Sequence, residues 1–378
     1  MTWELENNGI RNSLALWGID SPKLDLKNRA PDTLTFAIAK EGDPAIHFPT
    51  RLTRLYKSGQ CVFAGRLDKW GDQASASSEQ INYTVEGPWW YLDHLVYRQS
   101  YPVHGGGLGS EQLSSVVLGT GPDGYPASIA VALADVIQFA ADEGTPISRY
   151  FTQPALQIDA PISAGADITC AQAIDRLLEY TPGAIGHWDY SDLCPRLHIT
   201  PYRSLPLRTL TVGQTPLESY DLSPTGERPS GIDIHYVLPE VETSGTTETI
   251  DRRIEVDSYP PVSSSSPFGR LHTTVDLTQD PDSPRPVGLA RQYFESIPCR
   301  SFEGTVTLLD EEVSGPWLGR AVRILGGREE YAQYPLAVQS ASHDLETGKT
   351  TLQVGAPEHL MPSTWIEQQR ALTHAFRR

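Results

Sequence analysis

The sequence predicts a mainly β chain: two related β-barrel domains, with two α+β units inserted among their strands. Three observations lead there. The 31 glycines and 30 prolines among 378 residues exceed the average combined share of roughly 12%, so turns are frequent and strands short. Apolar residues alternate with polar ones in many short runs, the period of a half-buried strand. Finally, INYTVEGPWWYL near residue 90 and TTLQVGAPEHL near residue 355 both end strand, Gly, Pro, turn and Leu, a weak internal recurrence.

Residues 1–97 read as the first barrel. Leu34–Ala39 is one strand, and Arg51–Tyr56 and Gln60–Leu67 flank the turn residues Lys57, Ser58 and Gly59. Ile81, Tyr83 and Val85 alternate cleanly. The Gly-Pro breaker then opens a short helical turn packed by Trp89, Trp90, Tyr91 and Tyr97.

Residues 98–205 read as an α+β insertion. Two glycine-rich loops, 104–109 and 119–124, precede a helix whose Ile129, Leu133, Val136, Ile137 and Ala140 share one face and which Gly144 ends. Thr169 with Gln172 three residues on is a capping-box pattern, opening a helix that carries Ile174, Leu177 and Leu178 inward and stops at Pro182-Gly183. Strands around 187–190 and 196–200 complete the unit.

The second barrel is expected in residues 206–240 and 303–357, with a second insertion at 241–302. Ile232, Ile234 and Tyr236 mark a strand, which gives way to the polar stretch ETSGTTETIDRR. Ser263–Ser266, among prolines, reads as a connector, and Val287, Ala290, Arg291 and Phe294 as one helical face. Strands resume at 302–309, 321–325, 335–343 and 349–354, the last two joined through Glu346, Thr347 and Gly348. A C-terminal tail, 358–378, reads as helical, with Arg370, His374, Arg377 and Arg378 suited to the negative end of a helix dipole.

Charge and motifs narrow the function by exclusion. A net charge of −17 argues against a non-specific binder of nucleic acid or of an anionic membrane. No run reaches the roughly 18 apolar residues of a spanning helix, and the start has no signal-peptide pattern. Cys61, Cys170, Cys194 and Cys299 show no CxxC spacing, which points to reduced, mostly buried thiols; Cys170 and Cys194 share a segment and could meet. Gly119-Thr-Gly121-Pro-Asp-Gly124 is a literal GxGxxG, yet Pro122 and Pro126 remove donors where a phosphate would sit, so it reads as a loop. His104-Gly105-Gly106-Gly107 resembles a lipase oxyanion loop, but no GxSxG supplies a nucleophile. Asp310, Glu311 and Glu312, like Asp189 with Asp192, offer acids of a kind that a chain with 47 of them supplies freely. The ten histidines, Glu358-His359 among them, suggest no three-ligand metal site. No catalytic, cofactor-binding or metal residue is therefore predicted, and no enzyme activity.

The strings PTRLTRLYKSGQCVFAGRLDKW, INYTVEGPWWYLDHLVYRQ, EYTPGAIGHWDYSDLCPRLHI, EEVSGPWLGRAVRILGG and TTLQVGAPEHL together resemble the baseplate hub, or tail-tip hub, proteins of phages and prophages, over nearly the whole chain. The resemblance implies tube-type barrels, two per subunit, in a homotrimer whose pseudo-sixfold ring caps the hexameric tail tube. It implies a tail tube or distal tail protein above, spike or fibre proteins below, contact with a tape measure protein, and passage of DNA without specific binding. Some relatives continue into a lysozyme or peptidase domain, for which the residues after the second barrel leave no room here. A second reading rests on the residues alone: Trp89–Tyr91 and the many acids could serve a carbohydrate-active or glycan-binding protein.

Overall fold

The computed structural model describes residues 2–39, 52–74, 79–102, 110–120, 127–151, 163–178, 181, 183–224, 230–241, 249–260, 272–278, 288–296, 302–309 and 316–356. The chain opens with seven strands: β1 (Trp3–Asn7), β2 (Ile10–Ser13), β3 (Ile19–Lys27), β4 (Thr33–Ala39), β5 (Leu52–Lys57), β6 (Gln60–Ala74) and β7 (Glu79–Glu86). Next come α1 (Trp89–His94), β8 (Gln99–Pro102), β9 (Ser110–Leu113), β10 (Ser115–Leu118), α2 (Ile129–Asp142), β11 (Ser163–Ala166), α3 (Cys170–Leu178), β12 (Ala184–Asp189) and β13 (Arg196–Pro201). The remainder is β14 (Leu207–Thr211), β15 (Leu217–Pro224), β16 (Gly231–Val241), β17 (Thr249–Tyr259), β18 (His272–Thr278), α4 (Leu289–Ser296), β19 (Phe302–Leu309), β20 (Ala321–Leu325), α5 (Glu329–Gln333), β21 (Leu336–Asp344) and β22 (Lys349–Val354). The fold is mainly β. No helix among the described residues is long and apolar enough to cross a membrane.

Thirteen strands form one sheet, and the path through it has two equivalent halves. The first runs β2-β1-β5-β6-β7-β4-β3 and the second β14-β20-β21-β22-β19-β15, joined where β3 pairs antiparallel with β21. Matching β2, β3, β4, β5, β6 and β7 to β14, β15, β19, β20, β21 and β22 preserves both sequence order and neighbours. Only β1 has no counterpart. Because β1 is antiparallel to both β2 and β5, those two run the same way, and β14 and β20 likewise pair in parallel.

Each half must curl. A flat path of seven strands would separate β2 from β3 by about 29 Å at the usual strand spacing, whereas the six residue steps from Ser13 to Ile19 reach at most about 21 Å. The link is tighter still, since the Ile19 amide donates to the Leu14 carbonyl at 3.0 Å. In the second half the edges would lie about 24 Å apart if flat, and residues 212–216 join them through two turns, Gln214 onto Thr211 and Leu217 onto Gln214. Both halves are therefore barrels, and curling leaves few edges open.

Alternation fills their interiors. Leu5, Leu24, Leu34, Ile38, Leu55, Phe63, Leu67 and Val85 are buried in the first; Val306, Leu308, Val322, Ile324, Val338, Leu352 and Val354 in the second. Each such side chain contributes roughly 1.5–3 kcal/mol.

The strand at Ile232 and Ile234 forms as expected, but its partners are β17 and β18 in a separate three-stranded sheet carrying α4, not strands of the barrel. The polar stretch beyond it is not uniformly irregular. Its last residues, from Thr249, begin β17 and hydrogen-bond back along β16, because backbone pairing needs no particular side chain. Lys57, expected in the turn, is paired with Gln60, leaving Ser58 and Gly59 (φ 49° and 88°) as a two-residue turn. Both helices of the first insertion follow their signals. Thr169 and Gln172 bond reciprocally at 3.0 and 3.2 Å, and Gly144 (φ 89°) closes α2 with Thr145 donating to Ala140.

Candidate functional site at the barrel junction

The place where the first barrel, the first insertion and the second barrel meet is the turn after β3. The Asn28 amide nitrogen donates to the Gln339 carbonyl at 3.0 Å, and its side chain donates to Gln339 Oε1 at 3.2 Å while accepting from the Gly186 amide at 2.8 Å. Gln339 is the bulged residue of β21, between the paired positions Val338 and Ser340. A bulge turns its side chain out of the ladder, which frees it to reach Asn28 and to donate to the Gly355 carbonyl at 3.1 Å. Next in the chain, Arg29 is mostly buried and ion-pairs with Asp175 of α3 at 2.6 Å. One turn thus holds two barrels and the insertion in a fixed relation.

Two further contacts seat the insertion. Tyr190, just beyond β12, donates to the buried Asp32 at 2.5 Å, and the Lys27 amide donates to the other Asp32 oxygen at 2.7 Å. Burial pushes the Asp32 carboxyl up to about 7, against the lowering effects of Tyr190, the Lys27 amide and the Lys27 charge. On the second barrel, Gly319 lies so close to the His187 ring that a Cβ there would stand 2.2 Å from it. His187 stacks on His198 from the facing strand, ring centroids 5.3 Å apart. Burial first, and then His198, lower His187 to about 4.

The residues singled out from sequence are dispersed. Trp89 is buried, whereas Trp90 is half-buried with His94 stacked at 4.0 Å and the Arg66 guanidinium 4.3 Å from its centroid. Those groups compete for the faces a sugar ring would stack on. Tyr97 is buried, its hydroxyl bonded to Asp135. Burial works to raise Asp189, but hydrogen bonds from Ser191 and the charge of His198 hold it below the usual range, the wrong direction for a general acid. Asp192 instead pairs with Arg196 at 2.8 Å. The GxGxxG stretch begins at Gly119 (φ 83°) after β10, which pairs antiparallel with β11, so no parallel dinucleotide-type unit forms there.

Of the described thiols, Cys170 is buried, Cys61 half-buried and Cys194 exposed, and all three are free. Cys194 departs from the expected burial because it lies in the loop between β12 and β13. Among the described residues no group of three His, Cys, Asp or Glu is gathered to hold a metal. Cys299, 104–107, 121–124, 310–312, 263–266 and 358–378 lie outside the described residues. The junction residues Asn28, Asp32, Gly319 and Gln339 carried no sequence signal, although Asn28 and Asp32 flank a turn of the kind those residues favour.

No protein-family model and no curated protein matches this chain. Solved structures do. A tail protein from Neisseria meningitidis superposes with a TM-score of 0.58 at 13% identity, over 95% of this chain and 97% of that one. A prophage tail protein from Shewanella oneidensis gives 0.55 at 13% identity, over 95% and 98%. One from Listeria monocytogenes gives 0.50 at 10% identity, over 93% and 94%. The resemblance carried by the sequence strings is thus met in three dimensions, and along nearly its whole length this chain has the fold of prophage tail proteins.

Proposed function

We propose that this chain is a structural tail protein of a phage or prophage, a hub whose barrels build a ring at the tip of the tail tube. The observation that carries the reading is the duplicated strand order: two barrels of one topology in one chain, held rigidly by Asn28, Gln339 and the β3–β21 pair. Three such chains would present six similar barrels. That is the arithmetic needed to match a threefold tip to a sixfold tube, and tail-protein neighbours of the same fold support it. In this reading the domains divide near 1–97, 98–205, 206–224 with 302–356, and 231–296, because β16 pairs within the second insertion and not with the barrel. The protein acts in the virion without catalysis, with tube or distal tail protein on one side and spike or fibre proteins on the other.

The acidity fits a conduit. Three copies at −17 each give −51, and a negative lumen repels phosphates so that DNA passes without sticking. Light scattering over a concentration series tests the ring: three copies of 41.6 kDa give 124.8 kDa. A mass fixed at 41.6 kDa at every concentration and salt level would count against self-assembly of the ring.

A further inference from the structure

The internal duplication makes the β3–β21 junction a template. In β21, β20 pairs only with Leu336 and Ala337, and β3 then takes over the same side from Ser340 to Asp344. In the equivalent β6, β5 lets go after Arg66, and among the described residues no strand takes over the side from Lys69 onward. The counterpart of β3 is β15, which ends the sheet path with β19 on one edge and no described strand on the other. One chain therefore carries both unsatisfied halves of a junction it has already made once. They sit on different barrels, so one chain's β15 would meet another chain's β6.

The bulges fix the register. Leu67 and Lys69 flank a bulge opposite Val85 and Thr84, as Val338 and Ser340 do opposite Val354 and Gln353. Leu34 and Gly304 pair with Val85 and Val354, and Leu24 and Leu222 pair with those in turn. Carrying Ala341↔Leu26, Ser342↔Asp25 and His343↔Leu24 across gives Trp70 opposite Pro224, Gly71 opposite Ser223 and Asp72 opposite Leu222. The side chains suit this. Trp70 is 57% exposed on the outer stretch of β6, and Pro224 is exposed on β15. Pro224 has no N–H to give to the new ladder, so that pair keeps one bond, as Pro22 opposite Leu345 does in the junction already made, and its ring offers Trp70 an apolar surface.

We propose that the outer edge of β6, centred on Trp70, receives the outer edge of β15, centred on Pro224, from a second copy of this chain, antiparallel and in that register. The proposal rests on the ring reading above and adds its joint. The contact is heterologous, so repetition closes a ring or grows a filament. Bonds between the Leu345 amide and the Pro22 carbonyl and between the Asn28 amide and the Gln339 carbonyl place Leu24 and Leu26 at hydrogen-bonded positions. Gly71 and Ser223 consequently face each other at a non-hydrogen-bonded site, where Cα atoms approach to about 4.5 Å, within disulfide range.

Gly71→Cys and Ser223→Cys test it; both positions are exposed, and a Cβ at Gly71 meets open space. Oxidising the two variants mixed should give a disulfide-linked dimer on a non-reducing gel that neither variant gives alone, and a chain carrying both changes should cross-link to the full size of the assembly. Trimeric mass by light scattering without that disulfide, or preferential cross-linking of Gly71→Cys to Asp221→Cys, overturns the register while leaving the ring. A monomer at every concentration with no cross-link overturns both.

Discussion

Tyr190 donates its hydroxyl to Asp32 at 2.5 Å, tying the first insertion to a buried carboxyl in the turn before β4. Replacing Tyr190 with Phe leaves that carboxyl short of one partner and is expected to cost about 1–3 kcal/mol in urea unfolding.

Asp32 also sets a pH dependence. Its folded value, pushed up to about 7 by burial, lies above the unfolded 3.8. The folded state therefore holds the proton more tightly, and this group's contribution is fully present below pH 4 and is lost as pH rises through about 7. Urea midpoints from pH 4 to 7 should fall less steeply in Asp32→Asn than in the parent; equal slopes would remove Asp32 as the cause.

His187 works with the opposite sign. Burial and His198 lower it to about 4 from 6.5, so its contribution is present above pH 6.5 and is lost as pH falls toward 4. His187→Gln is expected to blunt acid destabilisation between those values, read as the shift in unfolding midpoint.

Gly319 is the position least able to accept a side chain on the docking face. Its φ of 72° and the 2.2 Å approach of a Cβ to His187 predict that Gly319→Ala costs roughly 1–3 kcal/mol. Adding His187→Ala should recover part of that loss, a coupling that a double-mutant cycle measures. Additive losses would show that the ring is not the obstacle.

Trp90 decides the glycan reading. With His94 and Arg66 against its ring, intrinsic fluorescence should stay unchanged on titration with oligosaccharides. A saturable shift abolished by Trp90→Ala would bring glycan binding forward.

Some elements missed in the sequence had signals there. Asn8-Gly9, with φ of 54° and 81°, joins β1 to β2 as a two-residue hairpin turn, and Asn-Gly between alternating residues is a strong hairpin mark. Lys23-Leu24-Asp25-Leu26-Lys27 alternates cleanly in β3 and buries both leucines. Other elements had no such mark. In Thr249–Tyr259 only Ile254 and Val256 alternate with charged neighbours, five of the eleven residues are charged, and the order of the strand comes from pairing with β16.

Whatever depends on neighbours along the chain was legible in the sequence: alternating strands, the capped start of α3, the glycine that ends α2, and the recurrence that β7 and β22 make real as equivalent strands. Tertiary structure alone decided which strands pair. It sent β16 to its own sheet, set β3 beside β21 across more than three hundred residues, and gave Asn28 and Gln339 their shared role. The reason is that every residue but proline offers the same backbone donor and acceptor. A strand's pattern shows which face is buried, while its partner is selected by how barrels close and pack.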